Sequence, residues 1–159
     1  HLVIEAAIMA KEGKNKKEIL ERIEELKPLV YSSFIVDTLS YLQKGGRCSS
    51  VSALTGGILN IHPKIEMKNG ILMASKKYRG KMNKVISNYL KDMELDLLSA
   101  KQDRVFLVHS GGIQEIVDTT YMYLEDLNYF KEIIVMRADG VISSHCGPGT
   151  LGVLFIKEK

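Results

Sequence analysis

Pro63-Lys-Ile-Glu-Met-Lys-Asn69-Gly70-Ile-Leu-Met-Ala-Ser-Lys76 is the stretch that decides the fold class. It reads as two strands, Pro63 to Met67 and Leu72 to Lys76, joined across Lys68-Asn69-Gly70. Asn69-Gly70 is the two-residue centre, because Asn and Gly tolerate the positive φ angles that a tight hairpin needs. Strands joined this way pair antiparallel, so a purely parallel sheet is excluded.

The same reading extends outward in both directions. Tyr31 to Val36 is rich in β-branched and aromatic residues and predicts a strand. A short helix from about Thr38 to Lys44 follows, stopped by Gly45-Gly46. Residues 49–59 suit another short helix. Downstream, residues 80–98 carry the longest helical pattern, with Met82, Val85, Ile86, Tyr89, Leu90 and Met93 on one face. Then come strand Arg104–Val108, helix Gln114–Leu127 and strand Ile133–Arg137. A turn at Ala138-Asp139-Gly140 leads to an expected strand, Val141–Ser144. Gly147-Pro148-Gly149 breaks the chain before a last strand, Gly152–Ile156. The expected fold class is α/β: a two-layer sandwich whose mainly antiparallel sheet is covered by helices on one face.

Upstream, residues 2–12 and 16–27 read as two helices. Asn15 caps the second, with Glu18 in the capping-box position. Two amphipathic helices with nothing before them cannot bury both faces. The expected division is residues 1–29, the helical tail of a preceding domain, and residues 30–159, one α/β domain. The chain opens at His1 and runs directly into a helical pattern, so an upstream segment is expected.

The 159 residues are 45% hydrophobic and 26% charged, with a formal net charge of +3, an ordinary globular balance. The cations are dispersed over helices and turns, which argues against a nucleic-acid partner. No run approaches the roughly 18 apolar residues of a transmembrane segment, and no secretory signal is visible. The two cysteines, Cys48 and Cys146, form no framework, and reduced cytoplasmic thiols are the plain reading.

Three segments carry chemistry. In Asp37-Thr-Leu-Ser-Tyr-Leu-Gln-Lys-Gly-Gly-Arg47, the glycines allow close approach of a ligand, and Arg47 offers a planar fork to a carboxylate or phosphate. On spacing alone the segment is equally a helix C-cap followed by a solvated Arg. In Ser143-Ser-His-Cys-Gly-Pro-Gly-Thr150, His145 stands beside a rigid glycine corner, where an imidazole can orient an anion or an Arg. A partly buried loop histidine is the plain alternative. In Lys76-Lys-Tyr-Arg-Gly80, cations gather before a helix N-terminus, an arrangement that an anionic partner would relieve. A solvated basic turn is the alternative there.

Other constellations are weaker. His62, His109, Cys48 and Cys146 have no chelating spacing, and His145 and Cys146 would point opposite ways on a strand. No metal site and no cofactor are expected. Cys146 with His145 or His109 is the one nucleophilic pairing, which leaves a cysteine-dependent hydrolase or transferase as an alternative. A phosphate-binding regulatory module using Gly147-Pro148-Gly149 and Arg79 is another.

In this order, Asp37 to Arg47, Leu59-Asn-Ile-His-Pro63, Lys77-Tyr-Arg-Gly80 and Ser144-His-Cys-Gly-Pro-Gly-Thr150 resemble the DegV family. Glu5-Ala-Ala to Glu12-Gly-Lys resembles its connection between two domains. The resemblance implies a carrier, not an enzyme, that holds one long-chain fatty acid such as palmitate between two lobes. A fatty acid kinase is the implied partner in hosts that have one, and the N-terminal lobe of the same protein supplies the other wall. By motif match, Arg47 and His145 are carried to the head-group region and Arg79 to a kinase- or phosphate-facing surface. Leu54, Ile58, Leu59 and Ile61, with Met67 and Met73, are the expected tunnel lining, and equally good core residues.

Overall fold

The computed structural model describes residues 1–46 and 61–158. Arg47, Leu54, Ile58, Leu59 and the helix expected over 49–59 lie outside the described residues.

Helix α1, Leu2–Lys11, leads to α2, Lys16–Leu26. Asn15 accepts from the backbone of Lys17 and Glu18, while the Glu18 carboxylate accepts from Asn15 N, completing the capping box. Strand β1, Val30–Ile35, and the short helix α3, Ser40–Lys44, follow. Strands β2, Ile61–Lys68, and β3, Ile71–Arg79, turn at Asn69 (φ 52°) and Gly70 (φ 77°), as the Asn-Gly pair predicts. The remaining elements are α4 (Met82–Asp92), α5 (Glu94–Leu98), β4 (Val105–His109), α6 (Gln114–Asp126), β5 (Ile133–Arg137), α7 (Gly140–Cys146) and β6 (Leu151–Ile156).

Two expectations are corrected. The helical pattern over 80–98 is two helices, because the backbone leaves helical geometry at Met93 (φ −102°, ψ 4°). Val141–Ser144 is helical, not a strand. Asp139 acts as N-cap, its carboxylate accepting from Ile142 N at 2.8 Å, and Gly147 (φ 83°) ends the helix in a conformation that suits glycine. Ala138-Asp139-Gly140 is thus a helix entry, not a turn into a strand.

The six strands form one mixed sheet in the order β3-β2-β1-β6-β4-β5. Only the β4–β5 pair is parallel among the described strands. One face lies under α4, α5 and α6. There Tyr89, Phe155, Leu107, Ile86 and Val153 are fully buried in the main core, each large side chain contributing about 1.5–3 kcal/mol. Strand alternation sends Phe34 and Val36 to the opposite face. They pack there with Leu42 of α3, Ile65 of β2 and Cys146 of α7 in a second, smaller cluster. Helices α3 and α7 therefore occupy part of the face that the sequence reading left uncovered. Helix α1 reaches the same face, with the His1 ring edge-on to Phe106 and Glu5 bonded to Arg104.

A polar network sits inside the helix-covered face. Tyr31 donates to Glu66, Lys64 donates to Tyr31, and Lys64 pairs with Glu66. Tyr89 donates to the Ser33 carbonyl at 3.0 Å, and Tyr78 donates to Asp92 at 2.7 Å. These bonds tie the β2–β3 hairpin and β1 to α4.

Candidate functional site

The strand directions gather the sequence motifs at one end of the sheet. Antiparallel pairing puts the C-terminal ends of β1, β3 and β4 beside the N-terminal ends of β2 and β6, and parallel pairing adds the end of β5. Asp37, His62, Arg79, His109, Arg137 and Thr150 all stand at this end, which we call the loop end.

Here α3 and α7 lock together through glycines. The His145 ring occupies the space where a Gly45 Cβ would be, and the Tyr41 ring occupies that of Gly147. The first and second motif segments are thus in direct contact, although about a hundred residues separate them. Beneath them, Ser110 Oγ donates to the Gly147 carbonyl (2.5 Å) and accepts from Thr150 N (3.1 Å). Gly149 N donates to Gly111 O (2.9 Å), and Thr150 Oγ1 donates to Cys146 O (2.9 Å). The glycine corner is therefore rigid, with its polar groups used internally.

His62 is buried, and its Nε2–H donates to the Gly80 carbonyl at 3.1 Å. Its Nδ1 faces Asp37 Oδ1 at 3.5 Å, too far for a good hydrogen bond. His109 Nδ1 accepts from Gly111 N at 3.2 Å, which leaves its Nε2 as the donor. Cys146 is a free, buried thiol, and burial pushes its pKa up, away from the thiolate form.

Between the open sheet face and α7 lies a cavity of about 470 Å³, within the usual range for small-molecule sites. Phe34, Leu42, Leu72, Val108, Ile142 and Leu154 supply most of its apolar wall, with Met67 and Val141 at its margin. His145, Cys146, His109, Ser110 and Thr150 line its loop end. The floor passes under Gly152, where a Cβ would come within 2.9 Å of Phe34 Cβ and Ser33 O.

The sequence-predicted residues fall as follows. His145 lies in the cavity wall, half-buried. Ile61 opens β2, half-buried and paired with Arg79, outside that wall. Arg79 is exposed at the end of β3, before α4. Lys76 is not at the helix start: it lies within β3 and bonds Asp92 at 2.6 Å. Leu42, Phe34 and Leu154 were not singled out from sequence. Their apolar character was visible, but which face they line depends on the sheet order.

Fold and site together define an open-faced α/β domain with an apolar cavity against one side of its sheet. The family model described as "Uncharacterised protein, DegV family" matches residues 1–158, and the chain belongs to the DegV family. A DegV domain-containing protein of Clostridium perfringens is 32% identical over 158 residues, which is 99% of this chain and 54% of that protein. A fatty-acid-binding DegV family protein from Thermus thermophilus superposes with a TM-score of 0.87 at 28% identity, covering 99% of this chain and 56% of that one. DegV of Bacillus subtilis, described as a fatty acid binding protein, superposes with a TM-score of 0.80 at 26% identity, covering 99% of this chain and 55% of that one. The chain thus spans about half the length of these relatives. Among the described residues, no helix is long and apolar enough to cross a membrane.

Proposed function

We infer that this chain is the tail-gripping part of a cytoplasmic long-chain fatty acid carrier. The observation that carries the reading is the cavity: apolar walls along the sheet, and polar side chains gathered at the loop end except for Ser32, the neighbouring Ser33 turning its hydroxyl to Tyr89 on the other face. That polarity matches an amphiphile with one charged end. Residues 30–159 form the lobe that buries the tail, and residues 1–29 lead from an N-terminal lobe that supplies the opposite wall. His145, with Arg47, meets the carboxylate. Ile61, with Leu54, Ile58 and Leu59, belongs to the proposed tunnel lining. Where the host has a fatty acid kinase, Arg79 faces it, and the carrier presents the acyl carboxylate without performing chemistry itself.

Magnitudes support this division of labour. Burying a palmitate-length tail at ~0.8 kcal/mol per methylene is worth roughly 10 kcal/mol gross. A charge-assisted hydrogen bond adds only about 1.5–3 kcal/mol. The tail holds, and the head group orients. A nucleophilic Cys146 fits less well, because its burial disfavours the thiolate that such chemistry needs.

Native mass spectrometry of the two-lobed protein purified without added lipid tests the reading. We expect a retained long-chain acid, displaced by palmitate. A protein that retains no acid and shows no saturable palmitate binding overturns it.

A further inference from the structure

The cavity floor is built from three cross-strand rows. Nearest the loop end are Thr150 and Ser110, level with Val36 just past the end of β1. The next row is Phe34, Gly152 and Val108, and the third is Ser32 beside Leu154. Two of these rows would be expected for any acyl chain: polar where the head group lies, apolar where the tail begins. The third is different. Ser32 lies in the wall, on the face opposite Ser33, whose hydroxyl is used by Tyr89 on the helix-covered side. The Ser32 hydroxyl has no hydrogen-bond partner among the described residues. It lies four residues along β1 from Val36, about 13 Å at roughly 3.3 Å per residue. A hydroxyl placed there faces the middle of a bound acyl chain, not its carboxylate.

An unsubstituted chain drawn over Ser32 strips water from that hydroxyl and offers nothing in return, which is unfavourable. A chain with its own hydroxyl at that depth can both donate and accept. We propose that Ser32 makes this cavity selective for fatty acids that carry a hydroxyl along the chain. The proposal rests on the fatty-acid reading above and names the ligand class within it.

Oleate and ricinoleate differ only by a mid-chain hydroxyl, so their competition in the two-lobed protein is the test. The native protein should bind ricinoleate at least as tightly as oleate. Ser32→Ala should shift the ricinoleate-to-oleate affinity ratio about tenfold toward oleate. Ser32→Thr, which keeps the hydroxyl, should preserve the native ratio and controls for local repacking. An unchanged ratio in Ser32→Ala overturns the proposal while leaving the carrier reading intact. Binding of neither acid removes the carrier reading and this proposal with it.

Discussion

The imidazole of His145 fills the space above Gly45 that a side chain would otherwise take. Gly45 has an ordinary φ of −78°, so its backbone would accept alanine without strain. What chiefly opposes a side chain there is the imidazole, whose Nδ1 would overlap the new Cβ, while the Tyr41 carbonyl would lie 3.2 Å away. Gly45→Ala should therefore cost about 1–3 kcal/mol in thermal unfolding, the usual range for overpacking. The same substitution in a His145→Ala background should cost much less. A cycle with no coupling between the two positions would show that they do not touch in solution.

The ion pair between Lys64 and Glu66 is enclosed, each side chain being 9% exposed. Burial pushes the Glu66 carboxyl up, but hydrogen bonds from Lys64 and Tyr31 and the Lys64 charge outweigh it. They hold the group at about 2, below its ordinary 4.5. A folded value below the unfolded one contributes stability that is complete above about pH 4.5 and lost as pH falls through about 2. Acid unfolding should therefore be steeper across that window in the native protein than in Glu66→Gln. Lys64→Ala, which leaves the buried carboxylate to Tyr31 and the exposed Lys68, should cost about 1–3 kcal/mol at neutral pH. Parallel acid profiles for native and Glu66→Gln would disprove the assignment.

Cys146 packs with Val36, Leu42 and Ile65, and its thiol is pushed up by burial. Iodoacetamide should label it more slowly at neutral pH than it labels the unfolded chain. Cys146→Ser should leave lipid retention nearly intact. Rapid labelling of Cys146 itself in the folded protein would revive the hydrolase alternative.

How far the sequence could be read depended on the range of the interaction. Asn69-Gly70, the Asn15–Glu18 capping box and β5 were legible because each depends on residues a few positions apart. Helix α7 was missed because Val141 and Ile142 look like strand residues, while the deciding group is the Asp139 cap just before them. The Lys64–Glu66 network was missed for a related reason. Lys64, Ile65 and Glu66 alternate as a half-exposed strand would, yet both faces of β2 are covered. The site itself needed the sheet order. Nothing local in Gly45 or His145 names the other as its neighbour, and nothing near Ser32 shows that it faces a cavity while Ser33 faces a helix.

Arg79 is exposed at the loop end, on the same edge as the candidate head-group site. Under the carrier reading, a charge there would steer a partner without gripping the tail. In the two-lobed protein, Arg79→Glu should leave bound fatty acid unchanged and slow kinase-dependent phosphorylation by at least about tenfold. The effect should shrink at high salt, as surface steering does. Unchanged turnover in a reconstituted assay would return Arg79 to the role of a solvated basic turn.

The cavity is open on the side away from the sheet. Val141 is 66% exposed, Ile142 51% and Met67 43%, although all three line its wall. A palmitate tail laid along Phe34, Val108 and Leu154 would keep one side in water. If half of the roughly 10 kcal/mol burial term is forfeited, the loss is about 5 kcal/mol, or more than about a thousandfold in affinity. The 159-residue chain should therefore bind palmitate far more weakly than the same chain joined to the N-terminal lobe proposed above. Residues 1–29 do not close the cavity, since α1 reaches this face at Phe106 and Arg104, outside the cavity wall. Isothermal titration of palmitate into the chain alone, and then into the two-lobed protein, measures the difference. Tight one-to-one binding by the chain alone would show that these residues enclose the whole tail and that no second wall is needed.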